Sequence, residues 1–310
     1  MVCGMQLALN EISLVLFTTL APSGVVALIL MGLPLPSGKA PEQMARRINQ
    51  FMCIPLVVSM VGLVMSATHL GNPENVLYVF ARVGVSPLSN EVAAAAVFLL
   101  LAGIYWLYSF ARKPCVALQR AWFALLCCAG AVFVLLIAFA YAAPTIIAWN
   151  TPFVPLNLVL NSLTGGPLLA LASLRLAVSQ EASKEPCRPS PFDAAFPPGR
   201  SFLRFARVLL ASSFLASIAN VACMMLQSIG LGDIGNELAT VAGLVPFYDV
   251  VIAVFAALCL LAFCLCVRSL RQNGRMAHAM AFAGCACALG GIFATRMSFY
   301  AMHLTVGLGM

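Results

Sequence analysis

Eight long apolar runs alternate with short polar connections along the sequence, near 11–33, 48–69, 90–110, 121–143, 155–177, 207–229, 246–267 and 277–299. Each matches the roughly 20 apolar residues that cross a hydrocarbon core of about 30 Å as a helix. Proline, glycine and charge mark the breaks: P-L-P-S-G-K-A-P-E after the first run, A-R-K-P after the third and R-S-L-R-Q-N-G-R after the seventh. Such residues end helices and start turns. The longest connection, 178–206, carries Pro186, Pro189, Pro191, Pro197 and Pro198 and is expected to lack regular structure. The pattern predicts an all-α integral membrane protein, a single polytopic domain over 1–310 with eight transmembrane helices.

Basic residues orient the spans. Lys39, Arg46 and Arg47 fall between the first and second, and Arg112, Lys113 and Arg120 between the third and fourth. Arg175, Lys184, Arg188, Arg200, Arg204 and Arg207 lie in or beside the fifth connection, and Arg268, Arg271 and Arg275 in the seventh. Only Arg82 and Arg296 remain of the 17 Lys and Arg residues. By the positive-inside rule those alternate loops, 178–206 included, are cytoplasmic, and both termini face the outer, periplasmic side. A missed or invented span would break this alternation. Glu11, Glu74, Glu91, Asp233, Glu237 and Asp249 show the converse bias toward the outer face.

Composition agrees with lipid as the solvent. Hydrophobic residues make up 62% and charged residues 9%, against roughly a quarter charged in soluble domains. The first run lacks a basic leader and a small-residue cleavage site, so it is expected to be a retained span. The net charge of +7 follows topology, and no aromatic-interleaved basic groove for nucleic acid is visible. Most of the 12 cysteines lie inside apolar runs without a C-x-x-C pair, as buried, inert thiols do.

The chemistry gathers at the outer face. His69 ends the second span, with Gly71-Asn72-Pro73 as a helix stop, and Glu91 opens the third behind Pro87, with Ser89 and Asn90 as capping candidates. Consecutive antiparallel spans bring these two ends to one membrane depth. Arg296 lies about one turn inside the outer end of the eighth span, with Tyr300 and His303 near the same helical face. Ionisable groups at such depth are costly unless paired or wetted, which makes each a functional candidate. The bland alternative is structural: the helix macrodipole favours a histidine at a C-terminus and a carboxylate in a first turn, and Arg296 or Arg82 would neutralise Glu91. The histidines lack the short fixed spacing of a metal site. His278 lies at the opposite, cytoplasmic end, so no intramembrane pair for haem is expected. Oxidation of a lipid-soluble quinol fits better, because histidine accepts a proton near neutral pH and a neighbouring carboxylate stabilises its charged form.

With these residues in view, the sequence resembles the membrane anchor subunit of anaerobic dimethyl sulfoxide reductases, the DmsC family. The resemblance rests on H-L-G-N-P at 69–73, R-V-G-V-S-P-L-S-N-E at 82–91, T-G-G-P-L-L at 164–169 and F-Y-A-M-H-L-T-V-G at 299–307. It implies an inner-membrane protein with eight helices and both termini outside. It also implies menaquinol as substrate, with electrons passing to a subunit carrying iron-sulfur clusters and on to a catalytic subunit with a molybdenum bis-pterin cofactor. The family's quinol-site histidine falls on His69 and its essential glutamate on Glu91. Arg82, Arg296, Tyr300 and His303 join the expected quinol-binding set by position and motif match. Without haem in this subunit, the iron-sulfur subunit is expected to dock on the outer face, over the 68–91 and 230–246 connections.

Three other readings stay open. The same quinol role would serve a reductase for another terminal acceptor. A passive anchor would tether its partners without chemistry. A secondary transporter would place polar groups near the midplane on broken helices, usually in paired repeats, whereas the charges here gather at one edge.

Overall fold

The computed structural model describes residues 4–35, 42–68, 73–111, 114–182, 202–236 and 240–305. Within them, eight helices are long and apolar enough to cross a membrane. Spans 1 to 4 are Ile12–Gly32, Met44–Thr68, Pro87–Tyr108 and Val116–Ala140; spans 5 to 8 are Phe153–Val178, Phe202–Gly230, Tyr248–Leu270 and Arg275–Ala301. All eight expected runs are therefore helices, with ends moved by a few residues. Span 2 begins early because the amphipathic helix Glu42–Phe51 leads into Cys53–Thr68, burying Met44 and Ile48. Helix also enters both ends of the proline-rich connection, continuing through Ala182 and resuming at Phe202. Its remainder, 183–201, lies outside the described residues.

Spans 1 to 4 and spans 5 to 8 form two groups that meet along span 1, which packs against spans 2, 4, 5 and 8. Span 1 is covered on every side, so its apolar residues form no single stripe. Small residues permit the close crossings. A Cβ on Gly62 would stand 2.8 Å from the Ala21 nitrogen, and one on Gly166 would stand 2.5 Å from a Val26 methyl. In lipid, where helix association has little hydrophobic drive, such contacts supply the packing. Large apolar side chains such as Val57, Val64, Leu100, Leu107, Leu215 and Val250 stay exposed on the outward faces, where acyl chains cover them.

Buried polar groups tie the interior together. Asn157 Nδ2 donates to Asn220 Oδ1 at 2.7 Å, Asn220 Nδ2 to Asn161 Oδ1 at 2.7 Å, and Asn161 Nδ2 to Asn157 Oδ1 at 2.9 Å. This closed ring joins spans 5 and 6. A longer contact, 3.4 Å from Asn161 Nδ2 to Thr295 Oγ1, carries it to span 8. The Ser213 hydroxyl donates to the Thr164 carbonyl at 2.7 Å, adding a second tie between spans 5 and 6.

Candidate functional site

At the end of the bundle where spans 1, 3, 5 and 7 begin, a carboxyl group and a guanidinium are buried. Glu91 enters through a local clasp. Gly84 adopts φ +89, a left-handed conformation that glycine tolerates and other L-residues resist. Its N–H donates to Asn90 Oδ1 at 2.6 Å, and the amides of Val85 and Ser86 bond back to the Arg82 carbonyl. Ser86 occupies the N-cap and Pro87 the first turn, so the helix opens before the expected capping pair Ser89 and Asn90. The helical start turns Glu91 inward. Its residue exposure is 2%, and its Oε2 has no hydrogen-bond partner among the described residues.

Arg296 lies at a similar depth in span 8, with 0% exposure. Its Nε donates to Thr18 Oγ1 of span 1 at 2.9 Å, while Nη1 and Nη2 have no hydrogen-bond partner among the described residues. Thr18 is free to accept because its own hydroxyl donates to the Leu14 carbonyl at 2.8 Å. The guanidinium carbon stands 4.1 Å from the Phe299 ring centroid, 5.4 Å from that of Tyr300 and 5.7 Å from that of Tyr141. Cation–π contacts of this kind contribute about 0.5–2 kcal/mol each. Removing a cation from water costs several kcal/mol when no counter-ion or full hydrogen-bond set replaces the solvent.

Two residues around this pair, Tyr141 and Trp149, belong to no expected site. They come from the connection between spans 4 and 5, which folds back over the end of span 8. Ile147 N–H donates to the Leu304 carbonyl at 3.1 Å, and Ile146 and Thr305 form an antiparallel bridge. The Trp149 indole donates to the Phe299 carbonyl at 3.2 Å and stacks on the Phe299 ring, with centroids 4.5 Å apart. Its edge contacts reach Tyr300 at 5.7 Å and His303 at 5.2 Å. Tyr141 stands 5.9 Å from Tyr300, and Glu91 lies within electrostatic reach of its phenol. Burial, reinforced by Tyr300 and Glu91, pushes the Tyr141 phenol well above its usual range, so it remains a donor. The buried Tyr300 hydroxyl lies beside Thr18, Tyr141 and Arg296 without a formed hydrogen bond.

The expected site residues therefore divide. Arg296 and Tyr300 share the buried cluster, Glu91 faces it through Tyr141, and His303 borders it through Trp149. Arg82 is exposed in the connection before span 3, and neither it nor Arg296 forms an ion pair with Glu91. His69 lies in 69–72, outside the described residues. His278 is in the first turn of span 8, at the opposite end. Thr18, Tyr141 and Trp149 are the additions. An outward connection holding Tyr141 and Trp149 was the available signal for two of them. Thr18 gave none, being one hydroxyl in an apolar span. Among the described residues no group of three or more His, Cys, Asp or Glu side chains is arranged to hold a metal ion.

The fold and cluster define a class: an eight-span membrane protein with buried polar groups at one end that lack full partners among the described residues. A model of the family described as "DMSO reductase anchor subunit (DmsC)" matches residues 5–302, and the protein belongs to that family. It is 29% identical over 303 residues to the anaerobic dimethyl sulfoxide reductase protein YnfH of Escherichia coli (strain K12), a match spanning 97% of this sequence and 98% of that one. A second anaerobic dimethyl sulfoxide reductase subunit of the same strain is 26% identical over 302 residues, with 97% and 98% spanned. An anaerobic dimethyl sulfoxide reductase subunit of Haemophilus influenzae is 28% identical over 306 residues, with 98% and 99% spanned. The protein is accordingly a multi-pass inner-membrane protein and an anchor subunit of an oxidoreductase complex of anaerobic respiration.

Proposed function

We propose that this subunit oxidises a quinol, menaquinol by the family resemblance, at the periplasmic end of its bundle. The observation that carries the reading is the burial of Glu91 and Arg296 at one end without an ion pair between them, each with a polar atom lacking a partner among the described residues. A carboxylate and a guanidinium that merely stabilised the fold would neutralise each other. Held apart, one accepts a proton and the other donates hydrogen bonds to a ring oxygen. The basic-loop pattern orients this end outward.

In the reaction a quinol becomes a quinone by losing two protons and two electrons. Glu91 takes a ring-hydroxyl proton at Oε2, His69 serves as the second acceptor, and both protons leave to the outer water. The two electrons pass to an iron-sulfur subunit docked over the 68–91 and 230–246 connections. From there they reach a molybdenum bis-pterin subunit that reduces dimethyl sulfoxide. Exposed Tyr78, Phe80, Val83 and Val85 on the first of these connections favour docking there, since aromatic and apolar side chains anchor protein interfaces.

The test is Glu91→Gln in the assembled complex, which keeps the side-chain shape and removes the proton acceptor. Quinol-driven reduction is expected to fall at least about 100-fold, as loss of a general base does. Reduction driven by a dye that feeds the partner subunits directly should be unchanged. Quinol-driven turnover at the parental rate would overturn the reading.

A further inference from the structure

Among the groups that no expectation assigned, Tyr141 stands where the two halves of the proposed site meet. Its ring is 5.7 Å from the Arg296 guanidinium carbon and 5.9 Å from the Tyr300 ring, and Glu91 acts on its phenol. Tyr141 sits at the end of span 4, while Glu91 and Arg296 belong to spans 3 and 8. Tyr141 is thus a neighbour of the guanidinium that also feels the carboxylate.

The connection carrying Tyr141 is also built to hold still. Trp149 is anchored by its indole N–H to the Phe299 carbonyl, and Ile147 by its amide to the Leu304 carbonyl. The Trp149 and Asn150 amides both return to the Ile146 carbonyl, tightening the turn. Ile146, Ala148 and Trp149 are buried. A connection at a membrane surface with this many fastenings acts as a fixed cover over the ends of spans 4 and 8.

We propose that Tyr141 is a substrate-contacting residue whose hydroxyl donates a hydrogen bond to the quinol oxygen that Glu91 deprotonates, and that Trp149 is the positioning residue that fixes the cover. This rests on the quinol reading above. The ring-hydroxyl proton passes to Glu91, and Tyr141 keeps its own proton throughout. Its hydrogen bond strengthens as the ring oxygen gains negative charge, so it assists proton removal as well as binding. Tyr141, Phe299 and Trp149 pack as one aromatic cluster, with Trp149 stacked on Phe299 and Tyr141 edge-on to both, which fixes the Tyr141 ring in place.

The experiment uses the whole complex in membranes, with 2-methylnaphthoquinol as donor and turnover expressed per unit of dye-driven activity, so that lost assembly does not imitate lost chemistry. Tyr141→Phe keeps the ring and removes the hydroxyl. It is expected to lower quinol-driven kcat/KM about tenfold, the size of one hydrogen bond to a developing charge. Trp149→Phe keeps a ring and removes the anchoring N–H. It should raise KM about threefold or more with a smaller change in kcat. Unchanged kcat/KM in Tyr141→Phe, with Glu91→Gln inactive, would overturn this assignment and leave the quinol reading standing. Full activity in Glu91→Gln would overturn both.

Discussion

Arg296 Nε donates to Thr18 Oγ1 at 2.9 Å, joining span 8 to span 1 at a point closed to solvent, and among the described residues this is the only hydrogen bond of the guanidinium. Its Nη1 and Nη2 find no partner among the described residues. Stability and function therefore place opposite demands on this side chain.

Arg296→Met should separate those demands. It removes a buried cation without a counter-ion and keeps much of the side-chain length, so the detergent-solubilised subunit is expected to gain about 1–4 kcal/mol. The same variant should lose quinol-driven turnover in the complex. Thermal unfolding and turnover measured on one preparation check both signs.

Thr18→Val should move stability in the other direction. It keeps the packing volume but takes away the acceptor for Nε, leaving a buried donor unsatisfied at a cost of about 1–3 kcal/mol. In Arg296→Met the same threonine substitution should cost much less. A double-mutant cycle of unfolding midpoints measures that coupling.

Gly84→Ala tests how Glu91 is delivered to the site. At φ +89 an alanine is strained by about 1–2 kcal/mol, and relaxation pulls the amide away from Asn90 Oδ1. Quinol-driven turnover should fall several-fold while dye-driven turnover holds. Asn90→Ala, which breaks the same clasp from its other side, should give the same pattern.

The asparagine ring makes a purely structural prediction. Asn161→Leu leaves Asn157 and Asn220 each short of a partner, and interhelical hydrogen bonds in membranes contribute about 0.6–2 kcal/mol. A drop of that order in unfolding free energy is expected, with quinol KM unchanged in the assembled complex.

Gly166→Val should disrupt the junction of the two four-span groups. Even its first carbon would stand 2.5 Å from the Val26 methyl, and overpacking of this kind costs about 1–3 kcal/mol or more. Reduced yield of folded subunit in membranes would be the readout. Gly103→Val, at an open position on span 3, is the control and should be tolerated.

The eight spans were legible in the sequence because lipid imposes a length and a polarity on every crossing helix, and both are local properties. The nearness of Glu91 to the bundle end was legible too, since Pro87 marks where span 3 starts. Arg296 and Tyr300 could be placed on one face by counting along a helix. Tertiary structure decided what those residues meet. Helical periodicity says nothing about which neighbour a face packs against, so Thr18, one hydroxyl in an apolar span, gave no sign that it accepts from Arg296. Nor did the sequence disclose that the connection after span 4 folds over span 8 and brings Tyr141 and Trp149 to the cluster. That placement follows from backbone hydrogen bonds and aromatic packing between residues about 150 positions apart. Tertiary structure also decided that Glu91 and Arg296 do not pair with each other, because only the relative positions of spans 3 and 8 determine whether these opposite charges touch.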